Sequence, residues 1–432
     1  MVRSFSVFFL GGAVEPYPII RSGRIEGYVV SGSDFTIVED SRGGRRTILW
    51  FSPERGAVVD KLLVEGRLYA PNGLYVDIDR WVEVMPFQPY HSFSSINDYL
   101  KWFVGVVGEV LRGKKVVVGF SGGKDSLVAS YVLSLACEKL DFKLTVVYSH
   151  VPFLESEENR DFVEKVANRL GVELVEVEPP KPIFREYMFR EGLPYRGTRW
   201  CTYLKVRPIR EVFKKIEADY IVSGDRLVET LKRFRRLIGA AVKGQLVAGK
   251  QLRPTFTWTI MDVVRCVRSL DLVHPDYLRG LPRVSCSWCP YKCLFEFGVT
   301  QATGWEELIE KVLRREYRLW YQQRGISWDE FKERRLWRYT PGAAQAWNAV
   351  MSHVERLVEK GELEEVKASS VRELYKSMWV EELPELPVKT LEEILEELRK
   401  WVEANRDKVF AEEYVPSTSS TRRRRARLRA GE

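Results

Sequence analysis

Six residues, Ser121-Gly122-Gly123-Lys124-Asp125-Ser126, limit what this chain can fold into more than any other feature. They follow an apolar run at 115–120 that reads as a buried strand. They precede a helical pattern at 127–140. A strand that passes into a helix through paired glycines forms a phosphate cradle. The glycines let the backbone approach an anion closely, and the amides of the helix N-terminus point at it. Ser121 and Ser126 add hydroxyl donors, Lys124 adds a point charge, and Asp125 can hold Mg²⁺ or cap the helix. The loop is not of the Walker A type, because the first glycine of that pattern would fall at Val118. The alternative is a turn that is merely rich in glycine, and the strand–loop–helix context argues against it.

Around this loop, strand patterns at 144–149, 172–177 and 220–222 alternate with helical ones such as 155–170. That order predicts an α/β fold: a doubly wound, mostly parallel sheet with ligands at the carboxyl ends of its strands. Residues 1–90 read as a small β domain. Ser41-Arg42-Gly43-Gly44 and Asn72-Gly73 are hairpin signals there. The apolar start at 1–14 reads as a first strand rather than a leader, since Glu15 interrupts it and no small-residue cleavage site follows. Residues 91–298 form the domain of the phosphate loop and a cysteine cluster, and 299–415 a helical region. In the last, Thr390-Leu391-Glu392-Glu393 is a capping box opening a helix to about residue 402. Residues 416–432 read as a disordered, Arg-rich tail.

The chain has 432 residues, of which 45% are hydrophobic, enough for several cores. No apolar run approaches the roughly 20 residues of a membrane span. Net charge is +8, and residues 421–432 supply six Arg and one Glu of it. The tail suits an anionic partner, and a solvated end is the plain alternative.

The loop resembles the PP-loop of the ATP pyrophosphatases and of the related phosphoadenosine phosphosulfate (PAPS) reductase family. Four later segments extend the resemblance in order. Cys201 with Lys205 and Pro208 resembles the family's Cys…Lys-x-x-Pro segment. Gly224, Arg226, Glu229 and Thr230 resemble its G-x-R-x-x-E-[ST] element. Trp258, Thr259, Asp262 and Val263 resemble its W-T-x-x-D-V element. Pro275, Tyr277, Gly280, Arg283 and Cys286 resemble its P-x-Y-x-x-G-x-x-R-x-x-C segment. The resemblance implies a loop that grips terminal phosphates, followed by adenylation with pyrophosphate release or by handling of an adenylyl sulfate. It places Gly224 and Arg226 beside the nucleotide. Arg226 and Arg233 can pair with phosphate or sulfate, or serve as structural ion pairs.

Of the six cysteines, Cys286, Cys289 and Cys293 fall within eight residues, which points to a metal or cluster site in a reducing cytoplasm. Cys201, on the family-like segment, can supply a fourth thiolate. Four thiolates suit a [4Fe–4S] cluster or Zn²⁺. The lone remote cysteine and Pro290 favour iron–sulfur. If Cys201 does not ligate, one iron stays open and could hold a sulfide. Cys137 and Cys266 read as core thiols. Sulfonucleotide reductases use a cysteine near the C-terminus, and no cysteine follows Cys293. With an intact loop, this points towards ATP-dependent activation.

Between 305 and 347, Trp305, Trp320, Trp328, Trp337, Tyr339 and Trp347 interleave with arginines including Arg314, Arg334 and Arg338. Such a pattern either stacks nucleic acid bases or forms a helical core whose arginines pair with nearby Glu.

The expectation is thus a cytoplasmic, non-membrane enzyme binding ATP·Mg²⁺ through Ser121, Gly122, Gly123, Lys124, Asp125, Ser126, Gly224 and Arg226. Lys124, Asp125 and Arg226 are its catalytic candidates. The acceptor is tRNA or another nucleic acid, adenylated and then supplied with sulfur at a cluster on Cys201, Cys286, Cys289 and Cys293. The alternatives are a PAPS or adenylyl sulfate reductase, and a nucleic-acid-binding protein without turnover.

Overall fold

The computed structural model of the chain describes residues 15–32, 34–78, 89–196, 198–241, 243–404 and 406. The strand expected at 1–14 and the tail at 416–432 lie outside them.

Short β-branched runs separated by glycine turns build an antiparallel sheet from β1 (Tyr17–Arg21), β2 (Arg24–Ser31), β3 (Phe35–Asp40), β4 (Arg45–Trp50) and β5 (Arg55–Val58). The expected turn after β3 is present. Asp40 accepts the amides of Arg42 at 2.8 Å and Gly44 at 2.9 Å, while Gly43 takes a φ of +82° that favours glycine. The Asn72-Gly73 signal gives a separate hairpin, β6 (Arg67–Tyr69) and β7 (Tyr75–Asp77).

The second sheet holds β8 (Lys115–Gly119), β9 (Lys143–Ser149), β10 (Glu173–Val177), β11 (Tyr220–Val222), β12 (Val247–Ala248) and β13 (Gln251–Leu252), in the order β10-β9-β8-β11-β13-β12. All neighbours are parallel except β12 and β13. Val116, Val117 and Val118 of β8 are all buried, as a strand covered on both faces requires. The chain leaves β8 towards β9 and returns on the opposite side at β11. The topological switch point therefore opens at the carboxyl end of β8, where the phosphate loop begins.

The C-terminal region is helical apart from β14 (Glu365–Lys367), which pairs with β5 and completes the N-terminal sheet as its sixth strand. The following helix, Ala368–Val380, lies on β1. There Tyr375 donates to Ser31 at 2.6 Å and meets the Tyr17 ring edge-on at 5.4 Å. The Thr390–Glu393 capping box opens Leu391–Ala404 as expected, with the Glu393 amide 3.2 Å from the Thr390 hydroxyl. One continuous hydrophobic cluster runs through all three regions. Tyr321, Trp337, Tyr339 and Trp347 belong to it, so these aromatics of the 305–347 stretch are core. The accompanying arginines pair with carboxylates: Arg314 with Glu310 at 2.8 Å, Arg334 with Glu355 at 2.8 Å, and fully buried Arg338 with fully buried Asp34 at 2.5 Å. Among the described residues, no helix is long and apolar enough to cross a membrane.

Candidate active site

The loop folds back on the helix it opens, Lys124–Cys137. The Ser126 hydroxyl donates to the Gly123 carbonyl at 2.9 Å and accepts the Ser121 amide at 3.3 Å. Gly122 has φ +81°, and a Cβ there would stand 2.2 Å from the Asn159 amide oxygen. Gly224, just past β11, presses on the same turn from the other side. A Cβ on it would lie 2.6 Å from the Asp125 carbonyl oxygen and 2.9 Å from the Ser126 nitrogen. Gly122 is thus dictated by its left-handed φ beside the Asn159 side chain, and Gly224 by close backbone approach.

The charged side chains of the loop turn inwards. Lys124 is only 3% exposed; its ammonium bonds Asp125 at 2.9 Å and sits between the rings of Tyr17 and Tyr277. Asp125 in turn accepts from Arg226 at 2.5 Å, and fully buried Arg226 grips Glu15 at 2.9 and 2.5 Å. Burial opposes charge on all of them, yet the alternation of sign prevails. Lys124 and Arg226 are held above their ordinary values, and Asp125 well below the carboxylate range. Both Asp125 oxygens are engaged, one by Lys124 and one by Arg226. Arg233 is likewise paired, with Asp225 at 3.2 Å. What the loop presents outwards is backbone amide and serine hydroxyl. Tyr277 steadies its helix by accepting the Lys124 amide at 2.9 Å.

Beyond the loop lies a cavity with about 530 Å³ of empty space, its mouth included. Ser121, Cys286, Glu155, Asn159, Lys205 and Lys292 are among the residues that line it. Cys201 and Cys289 stand close enough to Cys286 for the three thiols to feel one another's charge. Cys201 is pushed up to about 12, first by burial and then by the charges of Cys286 and Cys289. Cys286 is raised by burial as well, against the pull of the Lys205 ammonium bonded to it. Lys205, which also pairs with Glu155, is held well above its ordinary value although burial opposes it. Buried Lys292 is lowered by burial and donates to Thr300 at 2.7 Å.

The fourth thiol stands in different surroundings. Cys293 is fully buried at the start of the short helix Leu294–Phe297, in the company of Asp34, Glu296 and Arg338. Among the described residues, no three His, Cys, Asp or Glu groups already stand at metal-holding distance. Cys201, Cys286 and Cys289 feel one another's charge, and the Lys205 ammonium is bonded to Cys286. Cys266 is buried, in line with a core thiol, and Cys137 is half-buried.

Other family-like residues act as framework. Buried Asp262 caps its helix from Thr259 and holds the incoming chain through His91 at 3.0 Å and Ser92 at 2.7 Å. Gly280 packs against Arg372, where a Cβ would stand 2.2 Å from the carbonyl oxygen. Sequence reasoning gave no role to Glu155, Asn159, Lys292 or Glu15. Lys205 had a signal, its place in the Lys-x-x-Pro segment. The others had none, because only the tertiary fold brings Glu155, Asn159 and Lys292 to the cavity and Glu15 to Arg226.

Residues 115–292 match the family model described as the phosphoadenosine phosphosulfate reductase domain. An uncharacterized protein of Methanocaldococcus jannaschii is 30% identical over 193 residues, 44% of this chain and 45% of that protein. The tRNA(Ile)-lysidine synthase of Bacillus subtilis is 27% identical over 182 residues, 38% of this chain and 36% of that enzyme. The chain spans about half the length of the curated relatives it matches. Among solved structures, the U34-tRNA thiolase NcsA from Methanococcus maripaludis with its [4Fe–4S] cluster superposes with a TM-score of 0.33 at 17% identity, over 61% of this chain and 80% of that one. An overlay this loose carries no weight for function.

Proposed function

We propose, taking as premise that residues 115–292 are a PAPS reductase domain, that the chain is an ATP-dependent enzyme that activates a nucleic acid acceptor, with tRNA first in view, and replaces an oxygen by sulfur. The observation that carries this is one cavity lined both by Ser121 of the phosphate loop and by the thiol of Cys286.

In this reading the loop amides and the hydroxyls of Ser121 and Ser126 bind the triphosphate, with Mg²⁺ arriving on the nucleotide. The buried Lys124–Asp125–Arg226–Glu15 chain keeps the loop rigid, so that its donors need no reorganisation. A carbonyl oxygen of the acceptor attacks the α-phosphorus, and the bond to pyrophosphate breaks. A hydrosulfide-class nucleophile then adds at the acceptor carbon, and AMP departs with the original oxygen. A [4Fe–4S] cluster on Cys201, Cys286 and Cys289 would supply a place to hold that sulfur. Lys205 and Lys292 hold anionic sulfur or phosphate at the cavity wall. The name of the lysidine synthase relative supports tRNA as the first acceptor to try.

The test uses anaerobically purified protein. One mixture contains ATP·Mg²⁺ and total RNA and is assayed for pyrophosphate. The other contains PAPS and reduced thioredoxin and is assayed for sulfite. RNA-dependent pyrophosphate is expected, falling about tenfold in Ser121→Ala, which removes one hydroxyl from the cavity. Sulfite without pyrophosphate would overturn the reading in favour of a sulfonucleotide reductase.

A further inference from the structure

Residues 181–215 hold ten Lys and Arg against three Glu, a net +7 in a chain whose total is +8. The Arg-rich tail carries a further +5, so the rest of the chain is net acidic. This basic segment is two helices, Lys181–Glu191 and Trp200–Lys215, and the second begins at the cavity with Cys201.

The two helices place rings and guanidinium groups in one row. Arg190 lies 4.9 Å from the centre of the Tyr187 ring. Tyr187 stacks on Trp200 at 5.3 Å with 13° between planes, and its ring lies 6.4 Å from that of Tyr203. Arg207 lies 5.7 Å from the Tyr203 ring and donates to its hydroxyl at 2.9 Å. The outer end of this row faces water: Tyr203 is 47% exposed. Arg207, Arg210, Lys214 and Lys215 are exposed along the same helix.

We infer that this row is the docking surface for a nucleic acid with an unpaired base, which stacks on Tyr203 while its phosphates meet the surrounding Arg and Lys. The inference rests on the reading above and adds where and how the acceptor binds. An aromatic face accepts any base, at about 1–3 kcal/mol per stack, and a basic helix tracks the backbone. An acidic peptide would use the cations but leave the ring uncovered. Tyr203 is two residues from both Cys201 and Lys205, about 3 Å along the helix axis from each but on the other face of the helix. The row therefore seats the body of the nucleic acid on the outer face of the helix whose inner face carries Cys201.

The test is fluorescence titration of the full chain with a labelled RNA hairpin that has an unpaired loop. Tyr203→Ala is expected to weaken binding about tenfold, and Tyr203→Phe, which keeps the stacking face, to preserve it. A chain with Arg210, Lys214 and Lys215 all changed to Ala should show a shallower dependence of affinity on salt, by roughly two in the logarithmic slope. Unchanged thermal melting of each variant separates these effects from misfolding. Absence of hairpin binding in the natural chain, full affinity in Tyr203→Ala, or a loss seen only when the tail residues Arg422, Arg423, Arg424 and Arg425 become Ser would each overturn the surface. Pyrophosphate release distinguishes the two claims. RNA-dependent release with normal binding by Tyr203→Ala sinks the surface alone. Binding through Tyr203 without any release sinks the reaction alone.

Discussion

The stretches 305–347 and 187–207 are written with the same ingredients, Trp and Tyr interleaved with Arg, and they end in opposite surroundings. In the first, Tyr321 and Trp337 are core residues and Arg338 is fully buried. In the second, nearly half of Tyr203 faces water. The arginine partners tell the two apart. Arg338 finds its carboxylate in Asp34, 304 positions away, whereas Arg207 uses Glu211 one helical turn along at 2.6 Å. In these two cases the distant carboxylate lies inside the core with Arg338, and the partner on the same helix leaves Arg207 on the surface.

The cysteines give the largest effect by which to break this contrast. After anaerobic reconstitution with iron and sulfide, Cys289→Ser is expected to lose most of the visible absorbance, while Cys293→Ala, changed at a core position, keeps it. Loss in both would return Cys293 to the ligand set. Next comes Arg338→Ala, which strands Asp34 without its closest partner. It should cost about 3–5 kcal/mol in urea denaturation, and a cost below about 1 kcal/mol would mean that the Arg338–Asp34 pair does not hold the core. His274 sharpens the comparison through pH. Burial lowers it to about 4, and its Nε2 meets the Asn159 amide oxygen at 3.2 Å. The unfolded imidazole protonates near 6.5, so between these values the unfolded state binds more protons. Stability should therefore fall as pH drops from about 6.5 towards 4, by about 3 kcal/mol, and His274→Asn should flatten that slope. The smallest effect belongs to Arg207→Ala, which breaks an exposed pair on one helix and should leave the urea midpoint almost unmoved.

Much of the fold was legible in the sequence. A β-branched run followed by glycines announced β8 and the loop, and Gly43 and Gly73 announced their hairpins, because those signals are local. The site was legible only in part. The motif spacing named the cysteines but not the direction in which Cys293 points, which depends on a helix start and on Asp34 across the core. It named Lys124 and Arg226 but not their inward turn, which depends on Glu15 and two tyrosines from remote segments. The three residues of β14 carry no periodicity long enough to read, and their place is set by pairing with β5.

That last strand has a consequence for the order in which the molecule can be made. Translation delivers β1 to β5 first and every residue of the cavity well before Glu365 appears. Until then β5 stands at the rim of its sheet with open hydrogen-bonding groups, and the face of β1 lacks the helix Ala368–Val380. Closing the sheet means bringing together segments some three hundred residues apart, a slow kind of contact to form. A nascent chain of this protein holds a finished set of thiols inside an unfinished body.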